Sequence, residues 1–183
     1  MSTVTFKPKQ ITKKITSNLH DRARDVIVNR FGLGSETEKK TLEDIGKKYG
    51  ITRERVRQIE ESALNMIKKS DVYKIEHAVF EEIKQLMHSL GGIISEHDLL
   101  NHISKDKVTQ NHIHFYLVLG DHFKKHREDD HFKTRWSVDD ELSLKVHDAL
   151  KKLLASLKDE DLLPETEMIK KFLDHLKDVA EIY

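Results

Sequence analysis

The chain has 183 residues but no cysteine, two prolines and seven glycines. Without thiols there can be no disulfide, no thiol nucleophile and no zinc site that needs thiolate. No run of eighteen apolar residues is present, and the first ten residues lack the apolar core of a signal peptide. Membrane insertion and signal-directed secretion are therefore excluded as expectations, and a cytoplasmic location is predicted. Glycine is too scarce for a phosphate-cradling loop, and no nucleophile–base pair is visible. Neither an enzyme, a cofactor nor a small-molecule substrate is expected. Charge, in contrast, is plentiful, at 35% of residues, and the composition is that of a mostly helical chain.

The formal net charge of zero conceals an asymmetry. Residues 1–70 carry ten Lys and six Arg against nine acids, a surplus of seven positive charges, and residues 71–183 carry the matching deficit. A basic N-terminal part on an acidic remainder fits a nucleic-acid reader joined to a module with another task. Residues 1–16, with Lys7, Lys9, Lys13 and Lys14, have no apolar period strong enough to fold alone and read as a flexible basic arm. From Ser17 a helical period runs through Leu19, Ala23, Val26, Ile27 and Val28 to Phe31, and Gly32 and Gly34 punctuate its end.

The next segment carries the strongest local signals. Thr41-Leu42-Glu43-Asp44 has the form of a capping box, Leu42, Ile45 and Tyr49 make a helical stripe, and Gly50 closes that helix. Thr52 is placed to cap a second helix over 53–69. Two helices joined by so tight a turn are a helix-turn-helix. On a wheel, Val56, Ile59, Ala63, Met66 and Ile67 share one side, and Arg53, Glu54, Arg57, Gln58, Glu61 and Asn65 lie on or near the other. In this motif the first two turns of the second helix enter the major groove. Arg suits guanine O6 and N7, Gln suits adenine N6 and N7, and Glu accepts from cytosine N4. Arg53, Glu54, Arg57 and Gln58 are thus the expected base readers, with Thr41, Thr52 and the four arm lysines on the phosphate backbone. The alternative for Glu54 and Arg57 is an exposed ion pair that merely solubilises the helix.

Residues 19–69 resemble region four of the primary sigma factors of bacterial RNA polymerase, which reads the upstream promoter element. The resemblance rests on Arg24-Asp25-Val26-Ile27, Arg30-Phe31-Gly32-Leu33, Thr41-Leu42-Glu43-Asp44-Ile45-Gly46 and Ile51 through Glu60, followed by Ala63-Leu64. It implies base contacts for Arg53, Glu54 and Gln58, and places Arg55 and Arg57 at or near the backbone. Glu61-Ser62 and Asn65 depart from the family's usual basic residues, which implies weaker phosphate attraction along the back half of the helix. With only eighteen residues ahead of the match, the regions that grip the polymerase clamp and melt the promoter have no room, and a complete sigma factor is not expected.

Residues 71–138 read as a second unit. Val72, Ile75, Val79, Ile83, Leu86, Met87 and Leu90 predict one long helix ended by Gly91-Gly92, Ser95 through Asp98 cap a short helix, and a third runs from about Thr109 to Gly120. Two short runs, 122–126 and 131–138, predict a hairpin whose Lys124, Lys125, Arg127, Lys133 and Arg135 are candidate wing contacts with DNA, against the repulsion of Glu128-Asp129-Asp130. Element order and the Phe132…Trp136-Ser137-Val138 run resemble the winged-helix HARE-HTH domain of the RNA polymerase delta subunit and related chromatin proteins. Nine of twelve histidines lie between His77 and His131, but neither His112 with His114 nor His122, His126 and His131 has a regular zinc framework, so no metal is predicted. Residues 139–183 predict a helical pair, broken at Asp159-Glu160-Asp161 and Pro164 and ending at Ile182-Tyr183 inside an apolar pattern, as though a further module followed.

The predicted fold is therefore mainly α: a sigma region-four-like helix-turn-helix over 17–70, a winged helix with a small β-hairpin over 71–138, and a C-terminal helical pair. The expected function is a transcription regulator on promoter-like double-stranded DNA. The alternative is an RNA polymerase-associated factor that docks on the core enzyme's flap through the helix from Leu19 to Phe31.

Overall fold

The computed structural model describes residues 4–157 and 163–176. The flexible arm expected over 1–16 is a correction: Pro8–Ile15 form helix α1, with proline at a first-turn position where its missing N–H costs nothing. Thr12 and Ile15 of α1 are buried. The Thr12 hydroxyl meets His112 Nδ1 at 2.8 Å and the Tyr116 hydroxyl at 2.9 Å, and Tyr116 donates to the Pro8 carbonyl at 2.5 Å. Two apolar residues cannot hold a helix alone, but a polar anchor inside a neighbouring core can.

Helix α2 (Asp21–Phe31) stops at Gly32, whose φ of 63° is left-handed and suits glycine. Helices α3 (Leu42–Tyr49) and α4 (Arg53–Lys69) follow at the expected positions. The single long helix expected from Val72 to Leu90 is instead two, α5 (Asp71–Ile75) and α6 (Ala78–Ser89). Between them the backbone tightens into shorter-range bonds, His77 N–H to the Lys74 carbonyl and Phe80 N–H to that of His77. The break lets Tyr73 and Phe80 both face inward with ring centroids 4.9 Å apart, and leaves Ile75 exposed.

Strand β1 (Ile93–Ser95), helices α7 (Glu96–Ile103) and α8 (Lys107–Leu119), and strands β2 (Lys124–His126) and β3 (Arg135–Ser137) complete the second unit. The expected hairpin is present, and β1 joins it to give an antiparallel sheet of order β1-β3-β2, with Ile94 and Lys125 both opposite Trp136. Strand β1 escaped sequence reading because three residues are too few to display an alternation. Helix, strand, two helices and two strands is winged-helix order. Helices α9 (Asp140–Ser156) and α10 (Glu165–His175) pack through Leu142, Ala149 and Leu176, with Val146 and Phe172 alongside. Leu144, Leu154, Met168, Ile169 and Leu173 remain exposed, so only part of the apolar stripe is core. The expected break at 159–161 and the terminal residues Ile182-Tyr183 lie outside the described residues.

The main core is continuous across Ser70, where two separate units had been expected. It runs from Ile27, Phe31, Ala63 and Ile67 into Phe80, Ile83, Met87, Phe115, Tyr116 and Trp136. Asn111, buried on α8, donates to the carbonyls of Gly32 at 3.0 Å and Thr37 at 2.7 Å, so it ties the loop after α2 to the winged helix. His112 and His114 are both buried. Burial drives their pKa values down to about 4, aided by nearby Lys9 for His112 and Lys39 for His114. Because the unfolded chain takes up these protons more readily, their contribution is fully present above about pH 6.5 and is lost as pH falls toward 4. We expect urea denaturation between pH 7 and pH 4.5 to show stability dropping by a few kcal/mol in total. A flat profile across that window would contradict the buried neutral histidines.

Candidate nucleic-acid interface

The turn between α3 and α4 is set by backbone constraints. Thr41 accepts from the Asp44 amide at 3.1 Å, while the Asp44 carboxylate takes the Thr41 hydroxyl at 2.6 Å and its amide at 3.4 Å. The capping box is therefore complete, and the Thr41 hydroxyl proton is already engaged. At the other end Gly50 closes α3 at φ 63°, and the Ile51 amide bonds the Gly46 carbonyl at 3.0 Å. A Cβ on Gly46 would stand 2.6 Å from the Ile51 carbonyl oxygen. Only glycine lets the turn fold back this closely. Thr52 then accepts from the Arg55 amide at 3.2 Å and starts α4, leaving its hydroxyl proton available to a phosphate.

Val26, Ile45 and Val56 form a small fully buried core beneath this turn, flanked by Leu42, Tyr49, Ile51 and Ile59. Helix α2 is clamped onto the end of α3 by Asp25, which receives Lys48 at 2.6 Å and the Tyr49 hydroxyl. Burial works to raise the Asp25 carboxyl, and these hydrogen bonds outweigh it and hold the pKa below the usual range. Arg22 lies over the Tyr49 ring at 4.9 Å. Sequence reasoning missed this clamp, since its members are far apart in the chain. On the far side Arg30 meets Glu60 at 3.4 Å and fixes α2 against α4.

With its inner face so held, α4 presents Arg53, Glu54, Arg55, Arg57 and Gln58 to solvent. The four expected base readers are brought together on the first two turns. They also pair among themselves: Arg57 reaches Glu54 at 2.8 Å and Glu61 at 3.1 Å, and Arg55 donates to Gln58 at 3.0 Å. The hydrogen bond to Arg57 pulls the Glu54 pKa down, so the carboxylate stays charged at neutral pH. Both sequence alternatives are thus compatible in one helix. Fully exposed pairs of this kind are weakly held, and they can open in favour of a base contact. Arg53 makes no ion pair among the described residues.

Outside α4 the expected contacts divide. Lys7, Lys9, Lys13 and Lys14 are exposed, but on a folded helix packed against α8 and α5, and Lys14 pairs with Glu76 at 2.6 Å. In the wing, Lys124 pairs with Asp140 at 2.8 Å, Lys125 with Glu96 at 2.9 Å and Arg135 with Asp129 at 3.2 Å. Arg135 is also largely buried, so it braces the wing from inside. Glu96 accepts from Trp136 Nε1 at 2.8 Å as well, which locks β3 onto α7. Arg127 and Lys133 remain exposed, without an ion pair among the described residues. The histidines grouped by sequence do not assemble: His126 packs against His147, whereas His122 lies beside His77 and Glu81.

Residues 17–69 match the family model for Sigma-70, region 4. This segment is a sigma-70 region 4 domain. RNA polymerase sigma factor RpoS of Coxiella burnetii is 44% identical over 68 residues, 37% of this chain and 18% of that protein. RNA polymerase sigma factor RpoD of Helicobacter pylori strain 26695 is 41% identical over 63 residues, 34% of this chain and 9% of that protein. RpoD of Neisseria gonorrhoeae is 41% identical over 59 residues, 32% of this chain and again 9% of that protein. The matched stretches thus span less than a fifth of these relatives, and the family-model match over 17–69 takes in α2, α3 and α4. No helix among the described residues is long and apolar enough to cross a membrane.

Within the region 4 domain, Gly46→Ala tests the tight turn. Alanine gains about 1 kcal/mol of helix propensity, whereas forcing a methyl against backbone costs about 1–3 kcal/mol. Because the opposing atom is a carbonyl oxygen, the clash should win, and chemical denaturation should show a net loss of stability.

Proposed function

We propose that the chain is a sequence-specific DNA-binding transcription regulator that seats the N-terminal half of α4 in the major groove of a promoter-like element. The observation that carries this reading is the exposure of Arg53, Glu54, Arg57 and Gln58 together on a helix whose opposite face is immobilised by Val56, Ala63 and Ile67. Arg53 and Arg57 supply bidentate donors for guanine, Gln58 suits adenine, and Glu54 selects cytosine. Thr52, Arg55 and the backbone amides that open α3 beside Thr41 act on phosphates and set the register. The lysines of α1, with Arg127 and Lys133 of the wing, add sequence-independent attraction. Winged-helix order in 78–137 supports a HARE-HTH-like second module, which presents a second surface toward DNA or protein.

Docking on the polymerase core through α2 is the weaker reading. Val26, Ile27 and Phe31 of that helix are buried in the protein's own core, which leaves mainly polar residues such as Asp21 and Arg22 to meet a partner.

Fluorescence anisotropy on a duplex bearing a sigma-type upstream element and on a scrambled duplex, each at two salt concentrations, tests the proposal. The promoter duplex should be preferred at both. Arg53→Ala and Gln58→Ala should each cost about 1–3 kcal/mol on that duplex alone, while Arg55→Ala should weaken both duplexes alike. If Arg53→Ala retains the full preference, α4 does not read bases.

A further inference from the structure

Three potential metal ligands from two distant parts of the chain converge beside the junction of the two helix-turn-helix units. His77 stands at the N-terminal end of α6, Glu81 follows one turn later, and His122 comes from the segment between α8 and β2. Their ligand atoms all lie within 4.8 Å of one another. His122 Nε2 is 3.1 Å from Glu81 Oε1 and 3.5 Å from His77 Nε2. Donors held at about 2.1 Å around a tetrahedral ion stand roughly 3.4 Å apart. Two of the three edges therefore already have the spacing that an ion would impose.

A plain Glu81–His122 hydrogen bond accounts for the 3.1 Å contact, and one ring can donate to the other across the 3.5 Å between His122 Nε2 and His77 Nε2. His122 Nε2 carries at most one proton and cannot serve both neighbours fully, whereas an ion at that point accepts a lone pair from all three groups. The His122 ring stands at 82° to that of His77, with centroids 5.5 Å apart, so each can turn an edge nitrogen to a common point. Helical i, i+4 spacing puts His77 and Glu81 on one face. The third ligand is positioned by its neighbours: Asp121 is paired with Lys68 of α4, and Phe123 is buried in the core. Lys84 also pairs with Glu81, its Nζ 3.9 Å from Oε2, which leaves Oε1 facing His122.

We propose that His77, Glu81 and His122 form a binding site for a divalent ion of the zinc class, with three protein ligands and a fourth position open to solvent. Two imidazoles and one carboxylate favour zinc, nickel or copper over magnesium or calcium, which take all-oxygen sites. The bound ion staples the start of α6 to the segment that links α8 to the wing. Since that segment also holds Lys68, occupancy stiffens the junction between the region 4 domain and the winged helix.

The test uses the untagged full chain, stripped with chelator and titrated with Zn²⁺ by calorimetry and with Co²⁺ by visible absorption. One ion per chain is expected, with the intense Co²⁺ bands of a low-coordinate site, and Zn²⁺ should raise the melting temperature. His77→Ala and His122→Ala should each weaken binding by more than the roughly 10–100-fold that loss of an outer-shell partner costs, and His122→Ala should abolish the Zn²⁺-dependent thermal shift. Glu81→Gln is the conservative third variant, and far-UV circular dichroism checks that each remains folded. His97→Ala, at an exposed histidine elsewhere, should bind as the wild type does. Absence of binding, or wild-type affinity and stoichiometry in the folded His77 and His122 variants, would overturn the site. Neither result bears on base reading by α4, which is measured separately.

Discussion

The burial of helix α8 is the constraint on which the rest of the structure depends. From Asn111 to Leu117 every side chain is buried, so this helix is enclosed on all sides. Most of its polar members find partners, and these lie in distant segments: Thr12 of α1 for His112 Nδ1, and the loop carbonyls of Gly32 and Thr37 for Asn111, while His112 Nε2 and His114 Nδ1 meet no hydrogen-bond partner among the described residues. Each such bond is worth only about 1 kcal/mol when made, but leaving the buried group unpaired costs more. That asymmetry converts a local helix into a connector. It holds the N-terminal helix, the region 4 domain and the winged helix around one core.

The region 4 domain itself is organised differently. Its own small core of Val26, Ile45 and Val56 sits apart from the main one, beneath the turn and the exposed first turns of α4. Capping at Thr41 and Thr52 satisfies the ends of both helices, the close approach at Gly46 sets their angle, and the Asp25 clamp stops α2 from sliding on α3. The outward side chains of α4 need no partner for folding. Their mutual ion pairs are shallow, so they keep their charge without committing it to the fold.

Much of the domain was legible because its signals are local. Thr41 through Asp44, Gly50 and Thr52 announce helix ends within a few residues, and the period of Val56, Ile59, Ala63 and Ile67 gives the inner face without knowledge of what it packs against. The same reading failed on α1 and on the break at Glu76-His77. Both depend on partners far along the chain: α1 is folded by His112 and Tyr116, and the break exists so that Tyr73 and Phe80 can both reach the core. Basic residues show the same divide. Lys124, Lys125 and Arg135 were plausible phosphate contacts by charge, but charge alone says nothing of the acids that Asp140, Glu96 and Asp129 bring beside them.

By itself, then, the amino-acid sequence determined the helix-turn-helix, its boundaries, its outward residues and the winged-helix order, because capping, periodicity and turn chemistry act over one or two turns. Only the tertiary structure decided which charges are engaged, that the N-terminal segment is folded, that both units share a core, and that His122 meets His77 and Glu81. These are long-range pairings selected by burial, and hydrophobic burial is non-directional: it brings segments together without any mark in the sequence of which partner each will find.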